Sequence, residues 1–464
     1  MKQERNKKLF KDIIIYGIGN IGSRFLALLL IPFLAFFLER DEIGYYNLAL
    51  TAILFLLPVA TLQMRESTFR LLIDNDDSVY RKNILSTTFF IESGVFLLIL
   101  LISFCVPFFF NIRYFGLIVA SIYIYSFYEI YLQVVRVIYS SVKFALMGII
   151  TTFLTVVFSL TLFFVFDRGI EGLFIGNILA RIVSVVIIEL PRRNFVKSLS
   201  LKHIKKEYAK EVLKYCLPML LTAVSFGVIT SCGKFIVSDV LGLQDNGDLA
   251  LSENFVTIIL ILGFTFYQAW QVTAVKNYRE EDSPVFFSEV FNKYAILLSL
   301  LVIFISFGLR SFSFILIDDK YLQSIDIIFI YSVGAMLYCF ALFLEITFQC
   351  TKQTSKILYS ILTCAIITPV LSYIMILQFG LMGNVIALCI SYAYLFIFRY
   401  FQTKKTLPIS LNKEFFIALA LLIISGLVFH FIHNKIIDYT VLSLTSILLL
   451  YFFYISRKYI SKKN

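Results

Sequence analysis

Charge is scarce in this sequence. Asp, Glu, Lys and Arg supply only 15% of its 464 residues, against about a quarter in a typical soluble domain. With 59% hydrophobic and 17% aromatic residues, apolar runs of about 20 residues recur along the chain, which excludes a soluble protein and defines an all-α polytopic membrane protein. Histidine is nearly absent as well. His203, His430 and His433 are the whole set, and their spacing fits no metal site. The seven cysteines (Cys105, Cys216, Cys232, Cys339, Cys350, Cys364 and Cys389) stand singly within or beside apolar runs. Without paired spacing they encode neither a metal site nor a disulfide framework, and they read as packing residues. No Walker-type phosphate loop occurs, so the chain does not hydrolyse ATP itself. None of these patterns implies a cofactor.

What is present is a series of fourteen segments long and apolar enough to span a bilayer: residues 13–37, 45–64, 84–110, 115–138, 144–166, 173–190, 215–241, 249–270, 294–317, 327–348, 357–379, 384–401, 415–432 and 441–456. The first is longer than a signal-peptide core, contains Arg24 and lacks a small-residue cleavage pattern after it; residues 1–11 are therefore expected to be a retained tail. Basic residues set the orientation. With a cytoplasmic N-terminus, 31 of the 41 lysines and arginines fall in inner tails and loops, five in outer loops (Arg40, Arg113, Arg168, Lys320, Lys435) and five within segments (Arg24, Arg136, Arg181, Lys234, Arg310). That asymmetry places both termini in the cytoplasm. The net charge of +11 is then topological, and no nucleic-acid partner follows from it.

Two intervals repeat. Lys11 and Lys214, before the first and seventh segments, are 203 residues apart, as are Gly44 and Gly247; Gly169-Ile170-Glu171-Gly172 and Gly380-Leu381-Met382-Gly383 are 211 apart. The first twelve segments therefore read as two parallel six-helix lobes around a central cavity, residues 1–190 and 212–402. A basic cytoplasmic linker, 191–211, joins them, and residues 403–464 add two peripheral helices and a cytoplasmic tail.

Arg24 lies about 11 residues, or roughly 16 Å, into the first segment, near the middle of a hydrocarbon core about 30 Å thick. A charge there faces a bundle interior or a cavity that something anionic visits. Asn20 shares its helical face, and Gly176-Asn177-x-x-x-Arg181 in the sixth segment repeats Gly19-Asn20-x-x-x-Arg24. Arg24, Arg181, Asn20 and Asn177 form the candidate anion site. The alternative is that each arginine neutralises a buried carboxylate such as Glu129 or Glu253. Lys234 and Arg310 lie in the outer thirds of their segments, where a long stem can also reach the interface; Lys234 joins the candidate site and Arg310 is a weaker member. Arg65, Arg70 and Arg136 stand near the inner mouth, where they either draw in an anionic lipid or serve topology. Glu92, Glu129, Glu253 and Glu345 fall inside apolar segments and are the candidates for ion coupling, each with a structural ion pair as its alternative.

These residues, in this order, resemble a known family. Arg24…Pro32…Glu42-Ile43-Gly44, Arg136-x6-Lys143 leaving the fourth segment, the Gly169-x-x-Gly172 turn and Leu213-Lys214-Tyr215…Pro218 opening the seventh look like the O-antigen and capsule repeat-unit flippases. These belong to the multidrug/oligosaccharidyl-lipid/polysaccharide (MOP) exporter superfamily. The resemblance covers essentially the whole chain. Many members carry an Asp-Arg pair in the seventh segment, whereas Cys232-Gly233-Lys234-Phe235 keeps a cation and lacks the acid.

The resemblance implies a MATE-like fold and a transporter, not an enzyme, in the bacterial cytoplasmic membrane. It would flip undecaprenyl-pyrophosphate-linked oligosaccharide from the cytoplasmic to the outer leaflet by alternating access, coupled to H+ or Na+. Membrane lipids, a polysaccharide polymerase and a chain-length regulator are the other partners it implies. Guanidinium groups suit a pyrophosphate because they bind its oxygens in bidentate pairs, and the asparagine amides can bond sugar hydroxyls. The alternative is a MATE-like drug or metabolite cation antiporter, whose site should be led by carboxylates and aromatics. A membrane polysaccharide polymerase is less favoured. The outer loops, residues 38–44, 111–114, 167–172, 242–248, 318–326, 380–383 and 433–440, leave no room for a catalytic domain.

Overall fold

The computed structural model describes residues 37–74, 77–109, 111–191, 194–313, 321, 323–351 and 353–461. Asn20 and Arg24 lie outside them, and so does the side chain of Arg70. The described residues form helices and no strand. In order they are α1 (Arg40–Ala60), α2 (Met64–Asp74), α3 (Ser78–Phe109), α4 (Phe115–Val134, prolonged by a π-turn Val135–Tyr139), α5 (Ser141–Phe164), α6 (Gly169–Glu189) and α7 (Asn194–Ser198). After a 3₁₀ turn (Leu201–His203) come α8 (Lys206–Val240), α9 (Leu243–Asn277), α10 (Ser283–Ser311), α11 (Gln323–Cys350), α12 (Thr354–Thr403), α13 (Lys413–Phe431) and α14 (Lys435–Ser461).

Twelve of these helices are long and apolar enough to cross a membrane. One of them, α12, crosses twice. Its 50 residues would run about 75 Å if straight, but Gly380 adopts φ 59° and ψ −138°, a conformation that side chains with a Cβ avoid. The chain reverses there: Gly383 lies against the backbone of Met375, and Arg399 reaches back to Ser360 at 3.1 Å. The described residues thus make thirteen passes, and the second Gly-x-x-Gly of the sequence is the hairpin turn.

The described chain forms two compact units, Leu48–Ser231, and residues 37–47 together with 232–461. In the first, α5 and α6 pack as an antiparallel hairpin, and α4 lies along α6 and α2. A core of Met64, Leu85, Phe89, Tyr131, Val134, Met147 and Phe195 fills the end that carries the basic loops. In the second, α11 is enclosed by α9, α10 and α12, around the packed rings of Trp270, Phe291, Phe340 and Phe343. At the opposite end of this unit α1 and α9 begin side by side. Gly44 lies on the carbonyl of Leu243 and Gly247 on that of Arg40, a reciprocal contact in which 243 − 40 and 247 − 44 both equal the 203-residue interval. Any Cβ there would fall on the neighbouring backbone. Asn246 Nδ2 donates to the Gly44 carbonyl at 3.1 Å, and Arg40 pairs with the fully buried Asp248.

The last two helices are tied on by a buried cation. Arg310 of α10 donates through Nε to Asp438 Oδ2 of α14 at 2.9 Å, through Nη2 to Oδ1, and through Nη1 to the Phe429 carbonyl of α13. Its guanidinium also lies 4.2 Å from the Phe429 ring centroid. Deleting one partner of a buried pair strands the other, at a cost of about 3–5 kcal/mol. Arg310→Met and Asp438→Asn should each lower the thermal unfolding midpoint in detergent, and the double variant should regain part of the loss. Unchanged midpoints would show that the pair does not anchor α13 and α14.

Candidate functional site

Arg181 sits twelve residues into α6, about 18 Å along its axis, where α4 lies alongside. Its Nη1 donates to the carbonyl oxygen of Asn177 at 3.0 Å and to Asn177 Oδ1 at 3.1 Å. The guanidinium carbon stands 3.4 Å from the Tyr125 ring centroid and 5.6 Å from that of Tyr128. Tyr125 donates its hydroxyl to Asn177 Oδ1 at 3.2 Å, Asn177 Nδ2 donates to the Leu173 carbonyl at 3.1 Å, and the Tyr128 hydroxyl bonds Thr151 at 2.9 Å. Two tyrosine faces and one asparagine thus fix the guanidinium. Aromatic faces stabilise a cation, by about 0.5–2 kcal/mol, without cancelling its charge. Among the described residues Arg181 has no carboxylate partner.

Three of the four glutamates named from the sequence are paired. Glu129 of α4 receives Arg65 at 3.0 Å, Glu253 of α9 receives Lys234 at 2.6 Å, and Glu345 of α11 receives Arg399 at 2.9 Å. The two carboxylates set out as alternative partners for the arginines, Glu129 and Glu253, are therefore held by other cations. Lys234 follows Gly233, which lies against Asn384. Arg136, in the π-turn, stands over the rings of Phe69 (4.2 Å) and Phe144 (5.5 Å).

Arg65 and Glu129 line a cleft of about 340 Å³ together with Gln63, Pro58, Phe226, Gly227 and Thr230. Its lip is a break between α1 and α2, where Leu62 (φ 45°) and Gln63 (φ 55°) are both left-handed, a conformation that non-glycine residues hold only where the surroundings impose it. Glu129 follows Tyr128 in α4, so the cleft and the Arg181 platform adjoin within one helical turn of the same helix.

Two polar anchors escaped the sequence. Arg399, counted there among the inner-boundary charges, is 1% exposed. It donates to Ser360 Oγ, to the Ala341 carbonyl and to Glu345, while Tyr267 and Gln349 donate to the other oxygen of Glu345 at 3.4 and 3.2 Å. The apolar run on both sides of Arg399 was the signal. Glu189, at the end of α6, accepts from the hydroxyls of Tyr131 (2.8 Å) and Tyr139 (2.7 Å) and from the backbone N–H of Phe195 and Val196, which caps the short α7.

Residues 9–271, more than half of the chain, match the polysaccharide biosynthesis protein family, and the chain belongs to that family. Its fold is MurJ- and MATE-like. It is similar to the lipid II flippase MurJ in an inward closed conformation, with a TM-score of 0.74 and 17% identity over 96% of this chain and 99% of that one. It is also similar to an inward-facing multidrug resistance MATE transporter of the MOP superfamily, with a TM-score of 0.70 and 13% identity over 87% and 98%. A MOP superfamily transporter from Pyrococcus furiosus, described as having a binding pocket of reverse polarity, matches with a TM-score of 0.53 and 12% identity over 86% and 95%. No curated protein matches the chain by sequence.

Gly176, beside Asn177, is what lets α6 press on α5. A Cβ built there would stand 2.6 Å from Ser159 Oγ and 2.7 Å from its backbone nitrogen. Gly176→Ala should therefore destabilise the protein by about 1–3 kcal/mol, whereas Gly148→Ala, with nothing within 4 Å, should be neutral or stabilising because alanine is the better helix former. Equal unfolding midpoints for the two variants would contradict the packing role.

Proposed function

We propose that the protein flips a polyprenyl-pyrophosphate-linked oligosaccharide, of the undecaprenyl type used for O-antigen and capsule, between the leaflets of the bacterial cytoplasmic membrane. One observation carries this reading: Arg181, in the middle of a membrane-spanning helix, is held by aromatic faces and an asparagine with no carboxylate among the described residues. A cation held that way retains its charge for a ligand, and a planar fork suits phosphate oxygens. Membership of the polysaccharide biosynthesis family and a fold shared with a lipid II flippase support it.

In this mechanism the headgroup enters from the basic, cytoplasmic side at the Arg65–Glu129 cleft, displaces the carboxylate from Arg65, and passes to Arg181 and, in the first apolar segment, Arg24. Moving the anion outward across a potential that is negative inside is favourable by about 2.3 kcal/mol per charge per 100 mV. Protons or sodium ions arriving at Glu129, Glu253 or Glu345 would release their cations and reset the site. The two six-helix lobes rock about it. A cation antiporter is disfavoured, because three of the four glutamates within the apolar segments, Glu129, Glu253 and Glu345, are already occupied by Arg65, Lys234 and Arg399.

Arg181→Ala should abolish transfer of a fluorescent polyprenyl-pyrophosphate oligosaccharide between leaflets of proteoliposomes, with membrane abundance unchanged. Arg181→Lys should restore only part of it, since an ammonium keeps the charge and loses the fork. Full transfer by the alanine variant would refute the role.

A further inference from the structure

Of the glutamates inside apolar segments, Glu92 differs from the other three. It is 2% exposed, it forms no ion pair or hydrogen bond among the described residues, and its Oε1 is a buried acceptor without a donor. The groups that face α3 from the elements packed on it are engaged elsewhere. On α2, Arg65 holds Glu129. On α4, Tyr123 stacks on Phe96 and Tyr131 donates to Glu189. In the 3₁₀ turn, His203 Nδ1 bonds Asn83 Oδ1 at 2.8 Å and Lys202 is exposed, as is Lys197 of α7. An ionised carboxylate buried without a partner is far too costly to persist. Among the described residues no group supplies the missing positive charge.

The surroundings are those of an ion site and not of an apolar core. Thr88, one turn before Glu92 on the same face of α3, and Ser126 of α4 are buried hydroxyls that also lack hydrogen-bond partners. Phe89 packs on Phe127 with centroids 5.4 Å apart, and Phe96 on Tyr123 at 4.0 Å. These two pairs bracket Glu92 on α3 and Ser126 on α4, which puts the carboxyl and the hydroxyl at the same height.

Glu92 also marks the point where α3 leaves the unit's core. Every buried residue of α3 lies from Asn83 to Glu92, and beyond it α3 and α4 diverge around a groove of about 620 Å³. Phe96, Leu100, Ser103 and Pro107, which line this groove, continue the helical stripe of Glu92 at intervals of three and four residues. Glu92 thus stands one turn before the first groove residue of its helix, Phe96, and the groove lies on the side away from the basic loops.

We propose that Glu92 binds an exchangeable small cation, a proton or a sodium ion, with the hydroxyls of Thr88 and Ser126 as its polar surroundings, and that it exchanges through the α3–α4 groove. The use of that cation to drive transport rests on the flippase reading above; its binding does not.

The test therefore needs no transported substrate. Purified protein in lipid nanodiscs is compared with Glu92→Gln, and with Glu92→Asp as a variant that keeps the carboxyl should the glutamine variant fail to fold. In the proton arm, infrared difference spectra at neutral pH should show the carbonyl stretch of a protonated carboxylic acid, lost in Glu92→Gln and shifted in Glu92→Asp. In the sodium arm, sodium chloride should raise the unfolding midpoint over choline chloride at equal ionic strength, an increment lost in Glu92→Gln and reduced in Glu92→Asp. Either arm positive supports the site and names the cation. Spectra and midpoints that the substitutions leave unchanged in both arms overturn it. A positive arm in a protein that transfers no lipid-linked substrate would keep the cation site and discard the flippase reading.

Discussion

A charge placed in hydrocarbon has to be neutralised, solvated or used, and the polar architecture of this protein follows from that rule. Lys234, Arg310 and Arg399 are each neutralised by a carboxylate from another helix, and each pair joins two elements that apolar packing alone would leave free to slide. Arg399 ties the α12 hairpin to α11, and Arg310 ties α13 and α14 to α10. Arg181 is handled differently: tyrosine faces and an asparagine stabilise it while its net charge is left in place. Pairs that cancel brace the scaffold, and the cation that is supported without being cancelled is the one the flippase proposal assigns to the anion.

Backbone approach is the second constraint. Glycines stand where two helices meet more closely than any Cβ allows: Gly176 against Ser159, and Gly44 and Gly247 against each other's helix. The first contact sets the position of Asn177 and Arg181. The second joins the starts of α1 and α9 over the buried Arg40–Asp248 pair.

Much of this was legible in the residues. Apolar run length is a strong signal in a chain with so few charges, and the passes fall where those runs lie, with the second Gly-x-x-Gly as the turn of α12. The Gly-Asn-x-x-x-Arg motif pointed to Arg181, because an arginine at mid-span is conspicuous. Partnerships were not legible. That Glu129 holds Arg65, Glu253 holds Lys234 and Glu345 holds Arg399 depends on which helix faces overlap, and local spacing does not encode that. Arg399 was misplaced for a related reason, since a charge near a segment's end looks solvated until the neighbouring helix is seen to extend past it. Glu189 was missed because two of its four donors are backbone amides of a turn that only folding brings near.

The flippase proposal requires an anion, not a cation, at the Arg181 site. The most direct measurement is equilibrium binding to the purified protein of a short-chain polyprenyl pyrophosphate and of a cationic dye, each titrated at low and high salt. Pyrophosphate binding should be saturable and weaken as salt screens the charge, with no saturable binding of the dye. Saturable binding of the dye, with none of the pyrophosphate, would contradict it.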